Sequence, residues 1–126
     1  MKFARYTFLI AGIYGVLALL PMYFLEEKNN LDYPPPITHP EYYYGFIGVA
    51  LAWQFAFLII SRNPVQFRLI MLPAVFEKAS FGIAASILYA QGKLASYFFL
   101  GGLVDLFLGT LFVVSYLKTS AKINDV

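Results

Sequence analysis

The sequence predicts an all-α membrane protein, a compact bundle of four transmembrane helices. Of its 126 residues, 60% are hydrophobic and only 13% are charged, against roughly 25% charged residues in an average soluble protein. Four apolar runs follow one another, each close to the ~20 residues that a helix needs to cross a ~30 Å hydrocarbon core. A soluble domain of this size could not hide so much apolar side chain, because small folds keep much of their surface exposed.

The runs predict helices over residues 6–25, 42–61, 64–91 and 94–117, in a single domain that spans residues 1–126 and has an outer loop at 26–41. Strands would be about half as long and would alternate in polarity, which these runs do not. The first run is too long for a signal peptide, and no small-residue cleavage site follows it. We therefore expect it to remain as a membrane helix.

Lysine and arginine are distributed unequally between the two sides of this bundle. One side carries Lys2, Arg5, Arg62, Arg68, Lys118 and Lys122, whereas the other carries Lys28 and Lys93. The positive-inside rule then predicts that the N and C termini are both cytoplasmic. We expect a multi-pass protein of the cell inner membrane, surrounded by membrane lipids.

The outer loop supplies the candidate residues of the outer interface. Its run Pro34-Pro35-Pro36 favours an extended path over a helix. Thr38 and Glu41 have the spacing of a capping box, which gives Glu41 a structural role at the start of the second helix. His39 is ordinarily a solvated loop histidine, and a proton shuttle or a ligand contact is its functional alternative. Tyr43 belongs to a dense group of tyrosines on this side, where ring and hydroxyl face different media.

Helix ends can also be predicted. Asn63 can cap and Pro64 suits a first helical turn, so the third helix should begin near Pro64. Pro73 should kink that helix, because it cannot donate a backbone hydrogen bond. Gly92 should end it, and so short a turn makes the third and fourth helices antiparallel neighbours.

Three ionisable residues, Glu77, Lys78 and Asp105, fall near the middle of these two helices. Counting from the turn puts Asp105 within about 1.5 Å of Lys78 in height. Each charge costs about 2.5–3.5 kcal/mol at mid-membrane on translocon scales, so Lys78 and Asp105 should pair. Because neighbouring helical residues point about 100° apart, Glu77 should face the first or second helix.

Facing the first or second helix, Glu77 would carry a proton or form a hydrogen bond with Tyr14, Gln54 or Ser80. Counting residues along the helices places Gln54 one to two turns nearer the cytoplasm, which makes Gln54 a doubtful partner. Gln54 and its neighbour Trp53 lie deep in the second helix. A deep glutamine usually bonds another helix, and lining a site is the alternative. We group Gln54 and Trp53 with the three charged residues as a candidate ligand-binding or buried polar cluster.

Small residues accompany this cluster. Gly48, Ala52 and Ala56 form a stripe that allows close approach of another helix. Gly101 and Gly109 flank Asp105 at intervals of four, which favours close packing over space for a ligand.

Composition excludes several kinds of site. The chain has no cysteine and one histidine, which excludes disulfides and thiolate metal sites and argues against a histidine metal centre or haem. We predict no metal and no cofactor. The basic residues form no patch, so no nucleic-acid partner is expected.

With the runs His39-Pro40-Glu41-Tyr42-Tyr43-Tyr44-Gly45-Phe46 and Leu72-Pro73-Ala74-Val75-Phe76-Glu77-Lys78, the chain resembles small uncharacterised four-helix bacterial membrane proteins. Small multidrug-resistance transporters share the helix count, but they carry their membrane acid in the first helix, which here has no charge after Arg5. DoxX-like proteins and lipid-binding EXPERA-type proteins share only the outline. The resemblance therefore implies a fold and no activity.

Three functional hypotheses follow. The first is a non-enzymatic membrane protein that binds a lipophilic small molecule, or that assembles as a homo-oligomer or as a subunit of a larger membrane complex. The second is an ion- or proton-coupled small transporter that works as an oligomer. The third is a membrane enzyme that modifies a lipid or isoprenoid, with Glu77 as acid or base and Asp105 or His39 assisting.

Overall fold

A computed structural model describes the backbone of residues 2–124 and the side chains of residues 2–119. Within that part the regular secondary structure is all helical, with no strand. Its α-helices are α1 (Lys2–Leu19), α2 (Glu26–Asp32), α3 (Pro40–Arg62), α4 (Met71–Ala90) and α5 (Ser96–Asn124). Short 3-10 segments, Leu20–Phe24 and Arg68–Ile70, extend α1 and lead into α4.

Four helices are long and apolar enough to cross a membrane. They comprise Lys2–Phe24, Pro40–Arg62, Arg68–Ala90 and Ser96–Thr119, with mean hydropathies between 1.4 and 2.0. The prediction of an all-α chain with four helices of spanning length is therefore confirmed.

The outer loop differs from its prediction, because its first half is the two-turn helix α2. Glu26 and Glu27 lie in its first turn, where acidic side chains interact favourably with the helix dipole. The Lys28 ammonium donates to the Asp32 carboxylate at 2.7 Å, one turn along the helix. The proline run lies after this helix, so it limits the length of α2 without preventing it.

The third long helix begins later than predicted. Asn63 does act as a cap, since its Oδ1 accepts from the Gln66 backbone N–H at 3.2 Å, but it caps a separate turn at residues 64–67. The α-helix starts at Met71. Pro73 thus lies in the first turn of α4, where a missing N–H is tolerated, and not inside the helix, where a kink was predicted.

The end of α4 agrees with its prediction. Gly92 has a φ of +74°, a left-handed conformation that glycine adopts without steric cost. Its N–H donates to the Tyr89 carbonyl at 3.0 Å, and the Lys93 N–H donates to the Leu88 carbonyl at 2.9 Å. These two bonds form a Schellman motif, which ends the helix and turns the chain back into α5.

The long helices form two closely packed pairs. Helix α1 packs on α3, and α4 packs on α5, whereas α3 and α4 touch only sparsely. Tyr89 stacks on Phe99 near the turn, and Lys78 meets Asp105 farther away, so α4 and α5 are antiparallel neighbours as predicted. The pairs meet mainly through α1 and α5.

The two ends of the bundle differ in their packing. The end of the bundle that contains α2 and the turn at residues 91–95 is called the loop end. The opposite end, where α1 begins and α5 ends, is called the terminus end. The buried cluster lies toward the terminus end, with Phe8, Phe57 and Phe112 fully buried at its centre. The rings of Phe8 and Phe112 stack at 4.1 Å, and Phe57 meets Phe112 edge-on at 5.0 Å.

Close contact between α4 and α5 depends partly on small residues that were not predicted. A Cβ added to Gly82 would lie 2.9 Å from the carbonyl oxygen of Gly102, so this pair brings α4 and α5 together. In α3, Ala52 is exposed, and Gly48 and Ala56 are only partly buried. The predicted stripe of α3 is therefore not its packed face.

We expect Gly82→Ala to destabilise the bundle by about 1–3 kcal/mol, because the new methyl group overpacks the α4–α5 contact. The free energy of unfolding in mixed micelles measures this. Gly45→Ala is the matched control, since a Cβ at Gly45 meets nothing within 4 Å. Equal stability of the two variants would show that α4 and α5 do not depend on this close approach.

Candidate functional site

A cavity of about 420 Å³ lies in the loop-end half of the bundle, and all four long helices line it. Its walls are mainly apolar, formed by aliphatic and aromatic side chains. Apart from the hydroxyl groups of Tyr14 and Tyr97, its polar side chains are Gln54, Glu77, Lys78 and Asp105. On α3, α4 and α5 these four are at or next to the lining position farthest from the loop end. We call these four residues the polar floor. Beyond them lies the aromatic cluster of the terminus end.

Lys78 is at the centre of the polar floor and only 3% of its side chain is exposed. Its Nζ donates to Asp105 Oδ1 at 3.5 Å, which confirms the contact predicted from helix register. Glu77 Oε2 lies 3.8 Å from the same Nζ. The sequence did not predict this second contact, which arises because the long lysine side chain reaches a position between both carboxyl groups.

Glycine and phenylalanine shape the surroundings of this ammonium. A Cβ at Gly109 would lie 3.3 Å from the Lys78 Cβ, so Gly109 allows α5 to pack closely there. The Nζ is 5.3 Å from the centre of the Phe57 ring, on the side of the aromatic cluster. A Cβ at Gly101 would meet nothing within 4 Å. Close packing was predicted for both glycines and holds only for Gly109, since Gly101 borders the cavity.

Gln54 is almost fully buried, with 1% of its surface exposed. Its Nε2 donates to the Ala50 carbonyl at 2.8 Å, within its own helix and not to a neighbouring helix as expected. Its Oε1 has no hydrogen-bond partner. The side chain lies directly against Gly15 of α1, where any Cβ would clash with it. Gln54 also lines the same cavity as Glu77.

The Glu77 carboxylate is similarly incomplete in its hydrogen bonding. Its Oε2 is buried and has no hydrogen-bond partner. The Ser80 hydroxyl, one of the partners considered from sequence, donates instead to the Glu77 backbone carbonyl at 3.1 Å. The polar floor therefore contains two acceptor oxygens, Gln54 Oε1 and Glu77 Oε2, without a donor.

Trp53 does not belong to the polar floor. It is partly buried against the aromatic cluster, with its ring 6.3 Å from that of Phe57, and it does not line the cavity. Neighbouring residues of a helix diverge by about 100°. Gln54 takes the cavity side here, and Trp53 serves packing.

The outer-interface candidates divide in the same way. His39 Nδ1 lies 3.5 Å from Glu41 Oε2, and both side chains are exposed and outside the cavity lining. The prediction of a capping box formed by Thr38 and Glu41 is wrong. Helix α3 begins at Pro40, its N-cap is His39, and no side chain makes a capping hydrogen bond there. Tyr43 does contribute, because its hydroxyl donates to the carbonyl of Met22, a cavity residue, at 2.7 Å.

Several residues at the cavity were not identified from sequence. Gly15 is the main one, since nothing local marks it as the position that admits Gln54. Tyr33 is another, because its ring packs on Tyr97 and Phe98, which line the cavity near the loop end. The density of tyrosines predicted an aromatic region there, but not which of them meet.

No family model matches this chain, and neither a curated protein nor a solved structure is similar enough to match it. The function is therefore argued from the cavity and its polar floor alone.

We expect Lys78→Met to destabilise the protein by about 3 kcal/mol or more, because two carboxyl groups are left in an apolar interior without a cation. Glu77→Gln should cost less, since the pair Lys78–Asp105 keeps both of its charges. Thermal unfolding of the purified protein in one detergent compares them. Equal losses in the two variants would contradict a stabilising role of the ammonium.

Proposed function

We propose that this protein is a multi-pass integral membrane protein that binds a lipophilic ligand in the loop-end cavity and has no enzymatic activity. The observation that carries the proposal is the cavity itself. Its volume of about 420 Å³ lies within the roughly 300–1,000 Å³ typical of small-molecule sites. Such sites are mainly apolar, with a few polar groups that fix the orientation of the ligand.

The arrangement of polarity supports an elongated, amphipathic ligand. Apolar walls extend from the polar floor toward Met22 and Phe98 near the loop end. A ligand would place its polar end on the floor and its apolar body along the walls. The free acceptors of Gln54 and Glu77 would then gain the partners that buried polar groups normally have.

The cavity is also open to the surroundings of the bundle. Several of its lining residues keep much of their surface exposed, among them Tyr14 at 41%, Leu100 at 59% and Val104 at 38%. Leu100 and Val104 lie one turn apart on a helix apolar enough to cross a membrane. In a bilayer this opening would face lipid chains, which favours access from the membrane over access from water.

The orientation that we propose rests on basic residues. The terminus end carries Lys2, Arg5, Arg62, Arg68 and Lys118 among the described side chains, and the positive-inside rule places it in the cytoplasm. The cavity would then lie in the outer half of the cell inner membrane.

Blocking the cavity tests ligand binding. Gly101→Phe should direct a ring into the cavity, since nothing lies within 4 Å of its Cβ position. Gly45→Phe is the matched control, because Gly45 is equally unobstructed but does not line the cavity. Native mass spectrometry of protein released from its own membranes should show a retained small-molecule mass in wild type and control, and its loss in Gly101→Phe.

Retention of the same mass by Gly101→Phe would place the ligand elsewhere. Co-release of a second polypeptide, with no small-molecule mass in any sample, would contradict the proposal and favour a subunit of a membrane complex.

Labelling of single cysteines tests the orientation. The chain has no cysteine of its own, so each variant carries one thiol. A maleimide that cannot cross membranes should label Thr38→Cys on intact spheroplasts and Gln66→Cys only after lysis. The reverse pattern would place the termini outside and would contradict the orientation.

A further inference from the structure

We propose that the polar end of the ligand is a protonated amine, so that the cavity selects apolar molecules with a cationic, hydrogen-donating head. This inference rests on the proposed function, because it concerns the same cavity. It is carried by the charges and the unused hydrogen-bonding groups of the polar floor.

Two buried hydrogen-bonding atoms of the floor have no partner, Gln54 Oε1 and Glu77 Oε2, and both are acceptors. The Lys78 ammonium has three N–H groups; it donates to Asp105 and lies 3.8 Å from Glu77 Oε2, outside hydrogen-bond distance. Gln54 Nε2 donates to Ala50. Both acceptor oxygens are buried, so a ligand N–H or O–H group would supply their missing partner after a small shift of these side chains.

The orientation of the Gln54 amide is fixed by its own helix. The nitrogen faces the Ala50 carbonyl oxygen at 2.8 Å, and exchanging the two amide atoms would set two acceptors against each other. The oxygen is consequently the atom that remains without a partner beside Gly15.

The charges of the floor favour a cation. Two carboxyl groups, those of Glu77 and Asp105, line the cavity together with one ammonium, that of Lys78, and the lining contains no other basic residue. With both carboxyl groups ionised, the floor has one negative charge without a counter-ion. Burying an unpaired charge in apolar surroundings is costly, and this cost is relieved either by a proton on one carboxyl group or by a cation. An ammonium head would supply that cation and keep both carboxyl groups ionised.

Other polar heads fit this floor less well. A carboxylate or phosphate head would add negative charge, and its oxygens, which accept hydrogen bonds, would face the acceptor oxygens of Gln54 and Glu77. A hydroxyl would satisfy one acceptor and leave the charge unbalanced. A quaternary ammonium would balance the charge without any N–H for Gln54 Oε1 or Glu77 Oε2.

Binding of four probes with the same apolar chain tests this inference. Dodecylamine, dodecanol, dodecanoate and dodecyltrimethylammonium are added to the protein in discs of zwitterionic phosphatidylcholine, whose surface does not concentrate cations. Native mass spectrometry counts the copies of each probe that remain bound to the protein. Two cavity-filling variants, Gly101→Phe and Val104→Phe, measure the background from probe that is dissolved in the lipid.

Above this background, dodecylamine should bind at least about tenfold more tightly than each of the other three, as expected for hydrogen bonds to a charged group. Glu77→Gln should lower the affinity for dodecylamine by about tenfold, because it removes the uncompensated charge. The ratio of dodecylamine affinity to dodecanol affinity should therefore decrease. The inference would be overturned if dodecanoate or dodecyltrimethylammonium bound as tightly as dodecylamine. It would also be overturned if Glu77→Gln left the ratio of dodecylamine affinity to dodecanol affinity unchanged.

The proposed function fails separately. If neither Gly101→Phe nor Val104→Phe reduces the binding of any probe, the cavity is not a ligand site. If cavity-dependent binding is present without preference for the amine, the proposed function stands and the amine assignment is wrong.

Discussion

The buried ammonium of Lys78 is the constraint to which the rest of the bundle conforms. With 3% of its side chain exposed, it has almost no access to solvent and must be compensated by carboxyl groups. Asp105 can approach it only if α4 and α5 keep one register, and Gly109 and the Gly82–Gly102 contact bring the helices close enough. Register, helix separation and the position of the polar floor thus follow from one requirement.

The same requirement divides the bundle into two unlike halves. On the side of the terminus end, three phenylalanine rings fill the space between the helices, and the centre of one of them, Phe57, lies 5.3 Å from the ammonium. Toward the loop end, apolar residues leave a cavity above the carboxyl groups. In a bilayer the lipid chains are as apolar as the helices, so packing of this kind replaces the hydrophobic effect as the source of stability.

Sequence reasoning succeeded where a local signal or a count of residues was enough. The four apolar runs, the Gly92 helix end and the level of Lys78 against Asp105 are of this kind. It failed where the answer depended on which face of a helix is buried. The outward faces of the long helices are as apolar as the core, so a period of 3.6 residues barely distinguishes the two. Hence Gln54 and Trp53 were grouped together, the stripe of Ala52 was misplaced, and Gly15 was missed.

The ring stack of Phe8, Phe57 and Phe112 also limits what could ever pass through this molecule. In the arrangement described here it closes the bundle on one side of the polar floor, so the cavity is a dead end and not a pore. A solute could leave on the far side only if the α1–α3 pair rocked against the α4–α5 pair and separated Phe8 from Phe112. Such a motion would separate rings that are now fully buried, so passage would require a change in helix packing and not a movement of side chains alone.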